Sequence, residues 1–411
     1  MGKHSFMYMA MRVFVPFAFG YFLSYLYRVI NAVIAPNLVN DLNLGPDVLG
    51  FLTASYFLAF AVFQLPLGVL LDRFGPRNVE AFLLIFAAIG AVCFALSENA
   101  TSLIISRALI GFGVSSCLMA SFKAFTVFYD ASRLPLVNGF IMAAGGLGAL
   151  AGTSPTAWVV EQYGWRYGFI GLGALTLLCA IIIFILVPKT PRPAHKTTFT
   201  EQLSGIKEIF TSRFFWRIAP ITMMTQASFI SVQSLWIGPW QRDVAGLPQE
   251  DVANNLFWLA ATMVAGFLSI GTISERLGHK GISTTKVAGV GIFLFILFQV
   301  AILSDLVLSL PTLWFGFSFF GTTGIVLYAV LSQHFAKHLG GRVNTAINLL
   351  VFISTFCLQT ISGQIINLWQ TTASGGYQPV AYKAAFGLFL ALQICAYLWF
   401  IKGALQKDQN R

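Results

Sequence analysis

Three basic side chains stand inside long apolar stretches of the sequence, where a charge is costly. Arg28, Arg107 and Lys123 are each surrounded by hydrophobic residues, and no aspartate or glutamate lies comparably deep in such a stretch. Glu80 is expected at the mouth of its segment. Ionisable residues in lipid are functional candidates by default, because burying them is unfavourable. The predicted interior is therefore positive, which favours binding of an anionic small molecule.

Arg28 is the best candidate for an anion ligand, because polar residues recur near it at helical spacing. The stripe consists of Tyr21, Ser24, Arg28 and Asn31. Separations of three, four and three positions place these residues on one face of a helix. The forked guanidinium group can donate two parallel hydrogen bonds to a carboxylate or a phosphate. The alternative is structural, with Arg28 bound to backbone carbonyl groups where helices end.

Lys123 and neutral polar residues of the second half complete the predicted substrate ligands. Lys123 and Arg107 would lie about 160° apart around a straight helix, so both can face one cavity only if the helix bends. The alternative for Lys123 is to extend its amine to the membrane surface. The neutral candidates are Gln226, Gln233, Trp236, Tyr328, Asn348 and Gln359. We expect Gln226, Gln233 and Trp236 to share one helix face, and the alternative role of the set is hydrogen bonding between helices.

The composition is that of a membrane protein. Of the 411 residues, 57% are hydrophobic and 10% are charged, whereas soluble domains carry about 25% charged residues. A transmembrane helix needs about 20 apolar residues, and a window of that length predicts an all-α membrane protein with twelve transmembrane helices. The predicted spans are 12–36, 49–70, 79–96, 102–128, 135–159 and 166–187, then 214–240, 254–273, 286–305, 311–333, 344–369 and 383–402.

The distribution of lysine and arginine predicts the orientation of these helices. With a cytoplasmic N-terminus, 19 of the 25 basic residues fall on the cytoplasmic side and 3 on the other, as the positive-inside rule requires. Both termini are therefore expected to be cytoplasmic. A proline-containing linker at 188–212 separates a six-helix bundle at 1–187 from another at 213–411. Because the net charge of +10 is spread over these loops, we expect no nucleic-acid partner.

The cysteines and histidines of the sequence show no pattern typical of a catalytic site or a metal site. The five cysteines are scattered through apolar segments, and the five histidines lie in terminal or loop positions. Neither set has the spacing of metal ligands, and no nucleophile is paired with a base. We therefore expect no cofactor, no metal and no enzymatic activity.

A motif of glycine, acid and base is repeated in the two halves at a constant offset of 203 residues. The first copy contains Gly68, Asp72, Arg73, Gly75 and Arg77. The second copy contains Gly271, Glu275, Arg276, Gly278 and Lys280. The first glycine of each copy is expected to let helices approach closely. The acids are expected near helix N-termini, whose partial positive charge attracts them, where they would form a latch between the two halves.

With this motif, the sequence resembles the major facilitator superfamily over essentially its whole length. A second match is the segment Arg107-x-x-x-Gly111-x-Gly113. The resemblance implies two six-helix bundles that move a solute by alternating access. It also implies that the repeated motif and Arg107 take part in gating. The superfamily's antiporter motif is not met in the glycine-rich segment 145–152, which argues against a drug–proton antiporter.

The residues and the resemblance together predict a secondary transporter of a small anionic solute, acting as a monomer in the bacterial inner membrane. The candidate solutes are organic carboxylates, sugar acids, organophosphates and carboxylate siderophores. The alternatives are an exporter of amphiphilic compounds or drugs and a non-transporting membrane sensor. The co-transported species, a proton or a counter-anion, is left open, and Asp41 and Glu80 at span ends are the candidates for coupling.

Overall fold

The computed structural model describes residues 6–129, 134–189, 207–304, 310–335, 339–372 and 375–408, and these residues form helices without a strand. Most of the predicted linker, residues 190–206, lies outside the described residues. The chain forms two compact units. The first comprises residues 1–44 and 55–199, and the second comprises residues 45–54 and 200–411.

Eight helices run through the first unit, and the third of them begins in the short segment assigned to the second unit. They are α1 (Val15–Val29), α2 (Asn31–Leu42), α3 (Pro46–Phe74), α4 (Pro76–Ala95), α5 (Ala100–Val114), α6 (Cys117–Phe128), α7 (Leu134–Ala151) and α8 (Ser154–Leu186). A helical turn at Phe6–Met9 and a π-helical turn at Ala10–Phe14 precede α1.

Glycines and caps determine where helices of the first unit begin and end. Gly75 has a φ of 79°, a conformation that strains residues with a Cβ. Pro76 follows in the first turn of α4, where its missing N–H has no helical partner to lose. Asn99 caps α5 by accepting a hydrogen bond from the backbone N of Ser102 at 2.9 Å. Gly164, with a φ of 81°, divides α8 into two helical segments.

The first unit is held together by close contacts at small residues. A Cβ added at Gly111 of α5 would overlap the backbone of Tyr56 in α3. A Cβ added at Gly148 of α7 would overlap the backbone carbonyl of Phe22 in α1. Such contacts let helix backbones approach without intervening side chains. They fix α1 and α3, the two helices that carry the candidate site.

The second unit contains eight further helices. They are α9 (Arg213–Ser231), α10 (Ile237–Asp243), α11 (Gln249–His279), α12 (Thr284–Leu303), α13 (Leu310–Gly321), α14 (Val326–His334), α15 (Gly340–Ile366) and α16 (Pro379–Asp408). A π-helical turn at Val232–Trp236 joins α9 to α10, and a 3-10 turn at Thr322–Ile325 joins α13 to α14.

Buried hydrogen bonds connect the helices of the second unit. The side chain of Gln299 in α12 donates to that of Gln393 in α16 at 2.6 Å, and Gln393 donates to Thr225 in α9 at 3.2 Å. At the end of α10, the carboxylate of Asp243 accepts hydrogen bonds from the backbone N of Tyr377 at 2.9 Å and the hydroxyl of Tyr382 at 2.8 Å. Asp243 therefore ties α10 to the start of α16.

Nine helical stretches of the described residues are long and apolar enough to cross a membrane, and two of these stretches are α5 with α6 and α13 with α14. Residues Ala10–Val29 and α2, bent by 48°, would make a tenth span. Helix continues beyond the first predicted span, 12–36, because α2 runs through Pro36 to Leu42. Two other predicted spans coincide with the short apolar helix Val137–Ala151 and with the interrupted run of α9 and α10. The count of twelve and the side on which the termini lie remain predictions.

Candidate functional site

Arg28 lies in the last turn of α1, next to the bend into α2. Its side chain is buried, with 7% exposed, on a helix otherwise packed with apolar residues. Because a buried guanidinium group must be compensated by polar or aromatic partners, its neighbours define what this position can bind. The neighbours come from α1 and α3 of the first unit.

Aromatic rings surround the guanidinium group of Arg28. Its central carbon lies 4.5 Å from the ring centroid of Tyr25 and 5.7 Å from that of Phe60, both within the range of a cation–π interaction. The hydroxyl of Tyr56 faces Arg28 and donates a hydrogen bond to the backbone O of Ser24 at 3.2 Å. The result is a cation held by the faces of rings and by a phenol.

The predicted polar stripe on the first span is buried along its whole length. Tyr21, Ser24, Arg28 and Asn31 each expose less than a tenth of their surface. Tyr21 packs edge-to-face on Tyr25, with ring centroids 5.4 Å apart. Asn31 lies beyond the bend, in α2, so the stripe does not follow one straight helix.

The sequence analysis missed Tyr25, Tyr56 and Phe60, which complete the surroundings of Arg28. Tyr25 precedes Arg28 by three positions, so its place on the same face was available from helical spacing. Tyr56 and Phe60 are one turn apart on α3 and carry no comparable signal. Only the packing of α3 against α1 brings them to Arg28.

Arg107 of α5 is fully buried and ties helices together. Its Nη2 donates a hydrogen bond to the backbone O of Tyr27 at 2.6 Å, and its guanidinium carbon lies 4.9 Å from the ring centroid of Tyr56. It thereby contacts both helices of the Arg28 cluster. This geometry is that of a strut between helices, and the part of Arg107 in gating stays a prediction.

Lys123 has an exposed side chain on α6. The helical run breaks between α5 and α6 at Ser115 and Ser116. The place of Lys123 in the substrate site stays a prediction. Exposure agrees with the alternative that its amine extends to the membrane surface.

In the second unit, the predicted ligands fall into two environments. The hydroxyl of Tyr328 donates to Oδ1 of Asn348 at 3.2 Å, and both side chains are half-buried. Gln226, Trp236 and Gln359 are buried. Within the described ranges, the Oε1 of Gln226, the Nε1 of Trp236 and both amide atoms of Gln359 make no hydrogen bond. Buried polar atoms of this kind are unusual unless water or a ligand satisfies them.

The expectation that Gln226, Gln233 and Trp236 share one face is wrong. Gln226 packs against Gly324, the amide of Gln233 donates to the sulfur of Met263 at 2.9 Å, and Trp236 packs on Tyr377. The π-helical turn at Val232–Trp236 changes the helical register between the first residue and the other two. Periodicity read from an ideal helix therefore fails across this segment.

The first copy of the repeated motif contains a tight turn with two exposed or half-buried cations. Gly75 supplies the positive φ, and the guanidinium groups of Arg73 and Arg77 lie over the rings of Phe74 and Phe184. The side chain of Asp72 lies outside the described residues, so the expected latch remains a prediction. Gly68 is not at a close helix contact, because a Cβ there would meet no described atom within 4 Å.

The second copy differs locally from the first. Glu275, Arg276 and Lys280 are exposed. Gly271 likewise has open space beside it, so the expectation of close helix packing at either glycine is wrong. Gly278 remains within α11, and the positive φ of this turn, 81°, belongs to Gly281.

Glu80 is the main departure from the expected charge distribution. It is fully buried in the first unit, because it turns inward with Leu83, Leu84 and Ala87 of α4. It lies about one turn after the start of α4. The thiols of Cys117 and Cys179 face its carboxyl group. Across the described part of the chain, neither carboxyl oxygen accepts a hydrogen bond from a nitrogen or an oxygen. The first unit thus contains a buried acid as well as two buried arginines.

Comparison with known proteins identifies the family. The family model described as "Major Facilitator Superfamily" matches residues 17–357. The chain belongs to the major facilitator superfamily. The family and the apolar helices together identify a multi-pass membrane protein. Among the described residues, no three His, Cys, Asp or Glu side chains are grouped to hold a metal ion.

Three relatives within the superfamily illustrate its range. An uncharacterised transporter of Bacillus subtilis is 25% identical over 64% of this chain and 65% of its own length. The hexuronate transporter of Escherichia coli K12 is 23% identical over 57% of this chain and 58% of its own length. This chain thus matches less than two thirds of either relative. A probable sulfoacetate transporter of Cupriavidus necator is 22% identical over 81% of this chain and 83% of its own.

Solved structures of the superfamily share the fold. A bacterial homologue of the human lysosomal transporter Spinster aligns with a TM-score of 0.74 and 17% identity, covering 98% of this chain and 96% of that one. A D-xylose–proton symporter aligns with a TM-score of 0.73 and 16% identity, covering 95% of this chain and 96% of that one. At these identities the comparison establishes the fold alone.

Proposed function

We propose that the protein is a secondary transporter that carries a small organic anion across the bacterial inner membrane by alternating access. The proposal includes twelve spans, cytoplasmic termini, and six-helix bundles at 1–187 and 213–411. Relatives named for hexuronate and sulfoacetate transport support an acidic solute, because both solutes are organic anions. Sugar acids and short sulfonates or carboxylates are therefore the first solutes to test.

The observation that carries this proposal is the surroundings of Arg28. Its guanidinium group is buried among aromatic rings and beside the hydroxyl of Tyr56. A carboxylate or sulfonate entering this cluster would be attracted by the guanidinium charge and accept two parallel hydrogen bonds. Tyr21, Ser24 and Asn31 are proposed to orient the bound solute. Lys123, which is exposed on α6, is proposed as a weaker candidate for the same role.

In the second unit, Gln226, Trp236 and Gln359 are proposed to bind the hydroxyl groups of the solute. Each has buried polar atoms that make no hydrogen bond within the described ranges. Tyr328, Asn348 and Gln233 are weaker candidates, since each already has a side-chain partner.

The experiment is a thermal-shift screen on purified protein. Galacturonate, glucuronate and sulfoacetate are compared with neutral galactose for wild type, Arg28→Gln and Arg28→Lys, with Arg12→Gln as a control for loss of a cation. A ligand at 100 times its Kd stabilises the folded state by about 2.7 kcal/mol. We expect the acids alone to stabilise wild type and the Arg12 variant, with no effect on Arg28→Gln and a reduced effect on Arg28→Lys.

Two results would overturn the proposal. In one, Arg28→Gln is stabilised as strongly as wild type, which would make Arg28 structural. In the other, galactose or neutral amphiphiles stabilise wild type while the acids do not. Stabilisation by amphiphiles would instead favour the alternative that the protein exports such compounds.

For coupling, we propose that Glu80 carries the co-transported proton. The titratable groups that face its carboxyl are the thiols of Cys117 on α6 and Cys179 on α8, and among the described residues α1, α4 and α5 place no cation against it. An isolated carboxylate away from water is strongly disfavoured, so the neutral, protonated group suits this site. Glu80 would take a proton from water on one side and release it to water on the other.

Proteoliposomes containing a pH-sensitive dye test this coupling. With a solute identified by the screen, uptake by wild type should acidify the lumen. Glu80→Gln should bind and exchange the solute without acidification, and Glu98→Gln, which alters an exposed acid, should behave as wild type. Acidification by Glu80→Gln would reject the role of Glu80. A wild type that binds no anion would instead reject the proposed function.

A further inference from the structure

A groove of about 820 Å³ lies on the first unit between α3, α4, α5 and α8. Its lining is apolar except for Asn78, and it includes Phe74, Phe82, Ile85, Phe184 and Ile185. These five apolar side chains are between 40% and 64% exposed. Because α4 and α8 are candidate membrane spans, the exposed groove is open to lipid rather than filled by the protein.

Cationic side chains stand at one end of this groove. The guanidinium carbon of Arg77 lies 4.7 Å from the ring centroid of Phe184, which lines the groove. The guanidinium carbon of Arg73 lies 5.3 Å from the centroid of Phe74, which also lines it. In the part of the chain that the structure describes, no carboxylate pairs with either arginine, and the buried Nε of Arg77 makes no hydrogen bond.

The remainder of the groove carries no charge. Its other walls are formed by Leu83 and Ile85 of α4, Phe112 of α5, and Leu177 and Ile181 of α8. From Leu177 to Ile185 the groove extends about 12 Å along α8, which is close to the roughly 15 Å of hydrocarbon in one leaflet. The cationic end lies beside the turn at Gly75, where α3 ends and α4 begins.

We infer that this groove binds one anionic phospholipid, with an acyl chain along α4 and α8 and the phosphate at Arg77. The apolar length fits the chain, and the guanidinium group fits the phosphate as a forked hydrogen-bond donor. Basic side chains beside clefts between transmembrane helices bind anionic headgroups in this way. An anionic lipid is favoured over a zwitterionic one because two arginines stand at this end of the groove. The inference does not depend on the identity of the transported solute.

The binding is tested by native mass spectrometry of the full chain, with matched concentrations of phosphatidylglycerol, phosphatidylethanolamine and phosphatidylcholine. For wild type, we expect preferential retention of one phosphatidylglycerol. Arg77→Gln should weaken its retention about fivefold, the effect of one basic side chain near a membrane surface. Lys280→Gln is the matched control, because Lys280 holds the same position in the second copy of the motif and does not line the groove.

The apolar part of the site is tested separately. Ile85→Trp should fill the groove and reduce retention of the lipid, whereas Ile89→Trp should not. The two isoleucines are one turn apart on α4 and similarly exposed, but only Ile85 lines the groove. Arg77→Lys keeps the positive charge and should retain part of the preference for phosphatidylglycerol. This variant controls for a folding defect in Arg77→Gln.

Three outcomes would overturn the inference. Equal retention of the three lipids by wild type would remove the headgroup preference. Equal loss of phosphatidylglycerol from Ile85→Trp and Ile89→Trp, or from Arg77→Gln and Lys280→Gln, would place the bound lipid elsewhere. Formation of stable dimers that Ile85→Trp abolishes would show instead that a second copy of the chain covers the groove.

Discussion

The carboxyl group of Glu80 lies against Gly20, with one oxygen in the space that a Cβ at position 20 would occupy. Gly20 is thus the residue on α1 that makes room for a buried acid on α4. The relationship joins the proposed proton carrier to the helix that also bears Arg28. Movement of α1 relative to α4 would therefore alter the surroundings of both groups.

Gly20→Ala should destabilise the protein by about 1–3 kcal/mol, the usual effect of forcing an extra methyl group into a packed interior. The reason is overlap with the Glu80 carboxyl group. In a Glu80→Ala background the same substitution should have a much smaller effect, because the overlapping group is gone. Thermal unfolding of the four proteins in this cycle measures the coupling, and additive effects would contradict the contact.

Arg107→Gln should lower stability by about 1.5–3 kcal/mol, because a charge-assisted hydrogen bond to the carbonyl of Tyr27 is lost. The folded fraction should still respond to the acidic ligand that stabilises wild type. Arg28→Gln should show the opposite pattern, with a modest change in stability and no ligand response. Thermal shifts with and without ligand separate the structural role of Arg107 from the ligand-binding role of Arg28. If the ligand stabilised both variants equally, or neither, the two arginines would act together.

Gly111→Ala and Gly68→Ala should have opposite effects although both glycines belong to superfamily motifs. A Cβ at position 111 overlaps the backbone of Tyr56, and we expect a loss of about 1–3 kcal/mol. Position 68 has open space, and replacing a helical glycine there should gain up to about 1 kcal/mol. Melting temperatures check both. A strong loss of stability in Gly68→Ala would show that Gly68 makes a close contact in another conformation of the protein.

Asp243→Ala should destabilise the second unit by about 3 kcal/mol, because the backbone N of Tyr377 and the hydroxyl of Tyr382 lose a buried acceptor. Tyr382→Phe removes one hydrogen-bond donor together with the hydrogen bond that it makes to Asp243. Its loss of stability should therefore be smaller than that of Asp243→Ala. Asp251→Ala, which alters an exposed acid in the first turn of α11, serves as the control. Equal melting temperatures for Asp243→Ala and Asp251→Ala would contradict this role.

Several properties could be derived from the sequence because they depend on local composition and spacing. Apolar runs of about 20 residues indicate membrane helices wherever they occur. The repeat at an offset of 203 residues can be found by comparing residue types at matching positions. The family assignment that it supported is confirmed. Arg28 and Arg107 were singled out because a charge among apolar residues is informative without coordinates.

Tertiary packing decided the remaining features, because they depend on neighbours that are distant in the sequence. The rings of Tyr56 and Phe60 reach Arg28 only through the packing of α3 on α1. Glu80 stands near the start of an apolar helix, where distance to the helix end does not show whether a side chain faces inward. It is buried because its side chain points inward toward Gly20 and Cys117. The π-helical turn before Ile237 likewise broke a periodicity that spacing alone had predicted. Spacing thus determines which residues can share a helix face, and contacts between helices determine which of them share a site.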